Sequence, residues 1–248
     1  MRKTILITGA SSGLGRGMAR EFAAMGRNLA LCARRTDRLE ELKAELEAAH
    51  PGITVAVLAL DVLNYDQVFE VFKEFRRQLG SIDRVIVNAG MGKGQPLGTG
   101  YFWANRQTAE TNFVAALAQC EAAMEIFRDQ NSGHLVMISS MSAMRGMPKN
   151  LTTYAATKAG VASLTEGIRA EMIGKPIKVS TIYPGYIRSE INEKVKNTPF
   201  MVDTETGCRL LVRAIEKESA EACVPRWPWA LLGFLMRNMP LSFVKRMS

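Results

Sequence analysis

Short apolar runs without polar alternation recur along the chain, and longer stretches with helically spaced apolar residues separate them. Continuous runs of this kind are typical of β-strands that are covered on both faces. They predict strands at Thr4–Thr8, Asn28–Ala33, Ile53–Leu60, Arg84–Asn88, Leu135–Ser139 and Lys178–Tyr183, and a last short strand near Ala222–Val224. Helical patterns lie between them at Gly13–Met25, Thr36–Ala49, Tyr65–Gln78, Ala104–Arg128, Thr152–Met172 and Thr204–Lys217. The repetition predicts an α/β fold, a doubly wound, parallel, seven-stranded sheet with helices on both faces.

The composition fits one globular domain of this class. The chain has 248 residues, of which 47% are hydrophobic and 23% are charged, and no linker separates its patterns. We expect a single domain over residues 1–224, followed by an apolar, basic tail over residues 225–248.

Charge, cysteine usage and hydropathy exclude several other classes of protein. The formal charge is +8, but no dense basic stripe marks a nucleic-acid binder, so we expect no nucleic-acid partner. Four separated cysteines and two histidines indicate reduced thiols and no metal site. The first apolar run, Ile5–Ile7, is too short for a signal peptide, and no run reaches the ~18 apolar residues of a spanning helix. We therefore expect a cytoplasmic protein.

A glycine-rich turn follows the first predicted strand and opens the first helix. It reads Thr8-Gly9-Ala10-Ser11-Ser12-Gly13-Leu14-Gly15. Glycines let a backbone approach a pyrophosphate closely, and the helix N-terminus supplies free N–H groups. In this context the motif predicts a Rossmann-type dinucleotide site.

The end of the second predicted strand favours NADP(H) over NAD(H). Enzymes that bind NAD usually have an acidic residue there, which takes the ribose hydroxyls. This chain instead has Arg34 and Arg35, whose guanidinium groups suit a phosphate. The alternative is that both are solvated loop charges.

Tyr154 and Lys158 lie four residues apart in a helical pattern, which places them on one helix face. A phenol is a weak acid at neutral pH, and a nearby cation favours its ionised form. The pair therefore has the chemistry of a proton donor and the cation that tunes it.

Together these motifs resemble the classical short-chain dehydrogenases/reductases (SDRs). The chain has, in the family's order, the segment Thr8–Gly15, Asp61-Val62, Asn88-Ala89-Gly90, Asn112, Ser139-Ser140, Tyr154-x-x-x-Lys158 and Pro184-Gly185. The resemblance runs from Thr4 to about Val224.

The resemblance implies four catalytic residues. Tyr154 is the general acid in reduction and the general base in oxidation, and Lys158 lowers its pKa and holds the nicotinamide ribose. Ser140 holds the substrate oxygen near Tyr154. Asn112 interrupts a helix and holds a water that links Lys158 to a proton relay.

The resemblance also implies the cofactor-binding residues. Asp61 and Val62 lie at the adenine, and Ile187 and Ser189 contact the nicotinamide. The complete set is Gly9, Ser11, Ser12, Gly13, Leu14, Gly15, Arg34, Arg35, Asp61, Val62, Asn88, Ala89, Gly90, Tyr154, Lys158, Pro184, Gly185, Ile187 and Ser189.

Ser140 departs slightly from the family's pattern, because it lies one residue further from Tyr154 than is common. Ser142 is the other candidate. We prefer Ser140, which ends a predicted strand, and place a one-residue insertion within Pro148–Thr153. Ser139 and Ser142 are then structural or secondary contacts.

Segments beyond the strands' carboxyl ends predict an apolar substrate. Met91–Gln107, Met141–Leu151 and Tyr186–Val202 are rich in methionine and aromatic residues, which suit a bulky apolar ligand or fill irregular core gaps. Steroid-like, acyl-chain and aromatic ketones remain open.

The tail contains Trp227, Pro228 and Trp229, an apolar helical stretch, and four cations without an acid. The apolar residues of the tail could be buried in three ways: over the substrate pocket, against another subunit, or at the inner surface of a membrane. The resemblance implies a homodimer or homotetramer.

The sequence thus favours an NADP(H)-dependent oxidoreductase that interconverts a secondary alcohol and a ketone. The alternatives are a non-catalytic NADPH-binding regulator and a peripheral lipid-binding protein.

Overall fold

The computed structural model describes residues 2–92, 94–190 and 198–246, and within them one sheet organises the chain. Seven parallel strands have the order β3-β2-β1-β4-β5-β6-β7. The strands are β1 Thr4–Thr8, β2 Asn28–Ala33, β3 Val55–Ala59, β4 Arg84–Val87, β5 Gly133–Ile138, β6 Ile177–Pro184 and β7 Glu221–Val224. The predicted doubly wound, parallel, seven-stranded sheet is confirmed.

Helices cover both faces of the sheet. They are α1 Gly13–Ala24, α2 Thr36–Ala49, α3 Tyr65–Leu79, α4 Phe102–Ala109, α5 Ala115–Gln130, α6 Thr152–Glu171, α7 Thr204–Glu216, α8 Arg226–Asn238 and α9 Leu241–Arg246. One apolar core includes Phe72, Phe127 and Val161 on α3, α5 and α6. The other includes Phe22 and Leu211 on α1 and α7.

The predicted helix Ala104–Arg128 is not continuous. Helix α4 begins at Phe102, a π-helical turn spans Glu110–Val114, and α5 follows. Asn112 lies in this turn, so the helix is interrupted where the resemblance implies it. Within the described ranges, no helix combines the length and the hydropathy needed to cross a membrane.

The amino edge of the sheet carries a buried network of paired charges. Arg84, at the start of β4, is 1% exposed and donates to His134 Nδ1 at 2.8 Å. It also pairs with Glu216 and, at 3.4 Å, with Glu218. Burial lowers the pKa of His134 to about 3, so this imidazole is neutral at pH 7, and its other nitrogen lies 2.8 Å from Ser180 Oγ. The network ties β4, β5 and β6 to the end of α7.

Candidate active site

A cleft of about 440 Å³ lies at the carboxyl edge of the sheet. Strand order reverses between β1 and β4, and such reversals are where dinucleotides bind in open parallel sheets. All but two of the predicted site residues line the cleft: Gly9, Ser11, Ser12, Gly13, Leu14, Arg34, Arg35, Asp61, Val62, Asn88, Ala89, Gly90, Ser140, Tyr154, Lys158, Pro184, Gly185, Ile187 and Ser189. The other two, Gly15 and Asn112, lie directly behind it.

The glycine turn between β1 and α1 needs glycine for its close approaches. Gly9 has φ +66°, and a Cβ there would lie 3.0 Å from the Cα of Ala89. A Cβ on Gly15 would lie 2.3 Å from the carbonyl oxygen of Gly9. The turn is therefore packed against β4's end and the start of α1, and it leaves backbone at the surface of the cleft. This cradle fits the pyrophosphate of a dinucleotide.

Asn88 and Thr8 join the ends of β4 and β1. Asn88 Nδ2 donates to the carbonyl oxygen of Thr8 at 2.9 Å. The backbone N–H groups of Asn88 and Ala89 both donate to Thr8 Oγ1, at 3.1 and 3.0 Å. These bonds fix the floor of the cleft where the two strand ends diverge.

Asp61 follows β3 at the far end of the cleft. Its carboxylate accepts from the backbone N–H of Leu63 at 3.1 Å, and its own N–H donates to Gln67 at 3.3 Å. The turn holds Val62 on the cleft wall. The position fits the adenine end that the resemblance implies.

Arg35 reaches back across the glycine turn. Its guanidinium donates to Ser11 Oγ at 3.3 Å and to Ser12 Oγ at 2.7 Å, and it pairs with Glu190 at 3.3 Å. Arg38 also pairs with Glu190, at 2.8 Å, and holds the pKa of that carboxyl below its ordinary value. Sequence reasoning missed both Arg38 and Glu190.

Arg34 is exposed and lines the same end of the cleft. Together with Arg35 it supplies two guanidinium groups at the end of β2. This arrangement is compatible with an additional phosphate on the adenosine ribose.

Three polar side chains meet where β5 and α6 face the cleft. The hydroxyl of Ser140 hydrogen-bonds the phenol of Tyr154, and it also accepts from the N–H of Ser142 at 3.1 Å. Lys158 Nζ donates to the carbonyl oxygen of Ile138 at 2.9 Å and lies 5.9 Å from the centre of the Tyr154 ring. The structure thus brings Ser140, and not Ser142, to the tyrosine hydroxyl.

Ser139 has a different contact from its neighbour. Its Oγ donates to the carbonyl oxygen of Lys158 at 2.8 Å, which fastens β5 to α6. It is a structural contact, as predicted.

Burial governs the protonation of this group. It raises the pKa of Tyr154, and the hydrogen bond from Ser140 offsets only part of that effect. It lowers the pKa of Lys158 to about 8. The depressed tyrosine pKa that the sequence argument expected is not seen, because desolvation of the phenol is the larger effect. At pH 7 the phenol is neutral and the ammonium is mostly charged. The group can therefore donate a proton to an oxygen atom and stabilise the phenolate left behind.

Asn112 holds the backbone beside Lys158. Its Oδ1 accepts from the N–H of Met91 at 2.8 Å, and its Nδ2 donates to the Met91 carbonyl at 3.0 Å. A Cβ on Gly90 would lie 3.1 Å from Asn112 Oδ1 and 3.6 Å from Lys158 Nζ. The π-helical turn therefore fixes the segment that passes over the lysine.

Trp229 forms the wall opposite, and sequence reasoning did not assign it to the site. A Cβ on Gly185 would lie 2.2 Å from the indole, so only glycine fits there. The ring makes edge contacts with Tyr186 and Phe200, at 5.6 and 6.4 Å between centroids. Its buried Nε1 has no hydrogen-bond partner among the described residues. The Trp-Pro-Trp segment directly after β7 was the available signal.

Comparison with known proteins places these features in a family. The family model described as short chain dehydrogenase matches residues 3–199. An uncharacterized oxidoreductase of Mycobacterium tuberculosis is 56% identical over 245 residues, which cover 99% of this chain and 97% of the relative.

Two solved structures have closely similar folds. An alcohol dehydrogenase from Thermococcus sibiricus, complexed with 5-hydroxy-NADP, has a TM-score of 0.79 and 25% identity, with 89% of this chain and 95% of that chain covered. A short chain dehydrogenase/reductase from Burkholderia phymatum, in complex with NAD, has a TM-score of 0.85 over 98% and 95% of the two chains. Its 22% identity bears on the fold alone.

Proposed function

Because the chain belongs to the short-chain dehydrogenase/reductase family of oxidoreductases, whose members bind nicotinamide cofactors, we propose that it is an NADP(H)-dependent enzyme that interconverts a secondary alcohol and a ketone. One observation carries the proposal. The phenol of Tyr154 bonds Ser140 and has the buried ammonium of Lys158 beside it, in the same cleft that begins at the glycine turn.

The roles of the side chains follow from their protonation and placement. NADP(H), when bound, supplies or accepts the hydride. In reduction, neutral Tyr154 donates its proton to the substrate oxygen, and Ser140 orients that oxygen. The charge of Lys158 stabilises the phenolate, and oxidation reverses the transfer. Asn112 keeps the segment Gly90–Met91 against the lysine, and the proton relay through it stays a prediction.

NADP(H) is preferred because Arg34 and Arg35 follow β2 directly, and no acidic residue precedes them at the end of that strand. The Thermococcus sibiricus alcohol dehydrogenase, solved with 5-hydroxy-NADP, supports the same choice. Here Arg34 and Arg35 would hold the 2′-phosphate, and the turn from Gly9 to Gly15 would hold the pyrophosphate.

An apolar substrate is proposed from the wall around Trp229. Met141, Tyr183 and Trp229 form a buried cluster, and Met144 and Tyr186 pack against it. This wall begins directly after Ser140, so it would contact the substituents of a bound ketone.

A homodimer or homotetramer in the cytoplasm is proposed for the assembly, and the tail is proposed to contact the inner face of a membrane. Val114 and Leu117 support an oligomer, because both are exposed apolar residues about one turn apart where the π-helical turn meets α5. The tail is apolar and carries cations without an acid.

Loss of NADPH oxidation in Tyr154→Phe tests the proposed chemistry. With a panel of apolar ketones, we expect kcat/KM to fall about 10²- to 10⁴-fold, because general-acid catalysis is lost. NADPH binding, measured by fluorescence titration, should stay within about twofold of wild type. The matched control is Tyr65→Phe, at a tyrosine that begins α3 and does not line the cleft.

A fully active Tyr154→Phe variant contradicts the mechanism. Wild-type protein that binds NADPH but reduces no ketone in the panel would favour the regulator instead.

A further inference from the structure

The net positive charge of the sequence falls on segments that follow the last four strands of the sheet. Four segments leave the carboxyl ends of β4, β5, β6 and β7. Three of them, residues 88–109, 139–151 and 225–248, contain eight Lys or Arg and no Asp or Glu. The fourth segment, residues 185–203, contains three basic and three acidic residues. The formal charge of the whole chain is +8, so the remaining residues are neutral as a set.

Most of the described cations on these segments have no ion-pair partner among the described residues, and the exception is Arg106, which pairs with Glu110 at 2.7 Å. Arg145 donates to the carbonyl oxygen of Arg237 at 3.1 Å, and neither residue forms an ion pair with another described residue. Arg226 is exposed and likewise has no ion pair in the described part of the chain. At the opposite edge, Arg2, Arg27 and Arg84 all pair with glutamates. The unmatched charge is therefore available to an anionic partner.

The same edge also exposes large apolar side chains. Ten of the fifteen exposed large hydrophobic residues in the described ranges lie on these segments: Leu97, Tyr101, Phe102, Trp103, Phe200, Trp227, Leu231, Phe234, Leu235 and Leu241. The chain's three tryptophans, Trp103, Trp227 and Trp229, all belong to this edge. Phe102 is 76% exposed and Trp227 is 75% exposed, so the fold does not cover them.

Helix α8 connects this surface to the substrate wall, because it is apolar on two opposite sides. Trp229, Gly233 and Met236 are buried, and a Cβ on Gly233 would lie 2.8 Å from the methyl carbon of Met141. Leu231 and Phe234 are exposed on the other side. The tail is thus buried over the substrate wall, one of the three expected fates, but only along half of its surface.

An anionic bilayer fits the uncovered half better than a second copy does. A twofold contact would bring the same unmatched arginines of two subunits together, and that costs free energy. Exposed leucines contribute nothing to binding a charged polymer, whereas Trp, Phe and Leu beside Lys and Arg are typical of interfacial lipid contact.

We propose that the carboxyl edge between β4 and β7 docks on an anionic lipid bilayer. The exposed aromatic and aliphatic side chains lie at the headgroup level, and the arginines contact the lipid phosphates. Because the cleft opens on this edge, a lipid-dissolved ketone enters it from the bilayer. The substrate part of the proposal rests on the proposed function, whereas the docking itself does not.

Tryptophan fluorescence and co-sedimentation with vesicles test the docking without any turnover. Vesicles of phosphatidylcholine with about 30% phosphatidylglycerol should bind the protein, and those of phosphatidylcholine alone should bind it at least tenfold more weakly. Binding should shift the emission to the blue, and lipids brominated on their acyl chains should quench it, because Trp103 and Trp227 enter the interface. Salt should weaken the binding.

Two variants separate the apolar and the charged contributions. Trp227→Ser with Phe234→Ser removes exposed apolar area, and Arg226→Gln with Arg237→Gln removes two charges. Each double variant should weaken binding roughly 10- to 30-fold. The matched controls lie at the other edge of the sheet. They are Ile173→Ser, at a residue that is 79% exposed, and Lys175→Gln with Lys178→Gln, and they should bind as wild type. Thermal unfolding midpoints check that all variants fold.

Lack of binding to both vesicle types overturns the proposal, as does equal loss in the control variants. If the protein forms a dimer that shields Trp103 and Trp227 and does not bind vesicles, a second copy occupies this surface, which also overturns the proposal.

Kinetics with two ketones test the route by which the substrate enters. The apparent KM for a vesicle-dissolved ketone should rise in the docking variants, whereas the KM for a water-soluble ketone should not. Equal KM changes overturn the entry route. If wild type binds vesicles but reduces neither ketone, the proposed function fails while docking stands.

Discussion

Arg84 and Lys158 are both buried cations, and they lie at opposite edges of the same sheet. Arg84 is 1% exposed and faces two glutamates and a neutral histidine. Lys158 is 8% exposed, and its ammonium donates to one carbonyl oxygen with no carboxylate paired to it in the described part of the chain. Burial alone lowers the pKa of Lys158 to about 8.

The difference separates a charge that holds the fold from a charge that is available for chemistry. A buried ion pair matters for the stability of the fold mainly because removing one partner leaves the other charge buried and unpaired. An unpaired ammonium beside a cleft costs folding free energy, and it can stabilise negative charge that develops on a neighbouring group. The amino edge is therefore expected to respond in stability, and the carboxyl edge in turnover.

Replacing each cation by methionine should separate the two responses. Lys158→Met should lower kcat/KM for ketone reduction about 10²- to 10³-fold, because a charge 5.9 Å from the centre of the phenol ring is worth about 3 kcal/mol at an effective dielectric constant of about 20. Its free energy of unfolding in urea should equal or exceed that of wild type, because a desolvated charge is removed.

The counterpart, Arg84→Met, should behave in the opposite way. Its free energy of unfolding should fall by about 3 kcal/mol, because buried His134 loses its donor and Glu216 and Glu218 each lose one of two arginine partners. Its kcat/KM per folded molecule should stay within about twofold of wild type. The distinction between a structural and a catalytic cation would be wrong if Lys158→Met were destabilised with normal turnover, or if Arg84→Met were stable but inactive.

Acidification should weaken the amino edge first. The pKa of folded His134 is about 3, below its ordinary value of about 6.5, so the unfolded chain binds more protons between these values. The free energy of unfolding should therefore fall by roughly 2 kcal/mol between pH 6.5 and pH 5. Lys158 stays charged throughout this window and contributes nothing to the change.

The variant His134→Gln should flatten that slope when urea unfolding is measured at both pH values. Glu218, whose pKa is lowered by Arg2 and its neighbours, adds its own loss only below about pH 4.5. An unchanged slope in His134→Gln would assign the acid sensitivity to other groups.

Local patterns predicted the sheet, the glycine turn and the pair Tyr154 and Lys158. Each of these needs only residues close in sequence: an apolar run, a turn of small residues, or one helical turn. The observed strand ends differ from the predicted ones by one or two residues, as in β3, which spans Val55–Ala59 where Ile53–Leu60 was predicted. The reason is that the pairing of terminal residues depends on the neighbouring strand.

Long-range contacts were not visible in the same way. Glu190 lies 155 residues from Arg35 and 152 from Arg38 in the sequence, and Trp229 reaches Gly185 through the packing of α8. The raised pKa of Tyr154 has the same origin, since the degree of burial depends on elements distant in sequence. The sequence showed that the tail has cations without an acidic residue, but it did not show that these cations lie on the same surface as those of the other segments.

Between the two extremes lies Arg35, which is paired but exposed. Its partner Glu190 would compete with the 2′-phosphate of NADPH for the same guanidinium group. An exposed ion pair is worth less than about 1 kcal/mol, so Glu190→Gln should tighten NADPH binding about two- to fivefold and leave NADH binding unchanged. Fluorescence titration with both nucleotides measures the ratio, and Glu205→Gln, at another exposed carboxylate paired with an arginine, is the control. Arg34→Asp should move the ratio the other way, because it adds a negative charge beside the phosphate. Equal tightening toward both nucleotides would show that the charge of Arg35 does not distinguish NADPH from NADH.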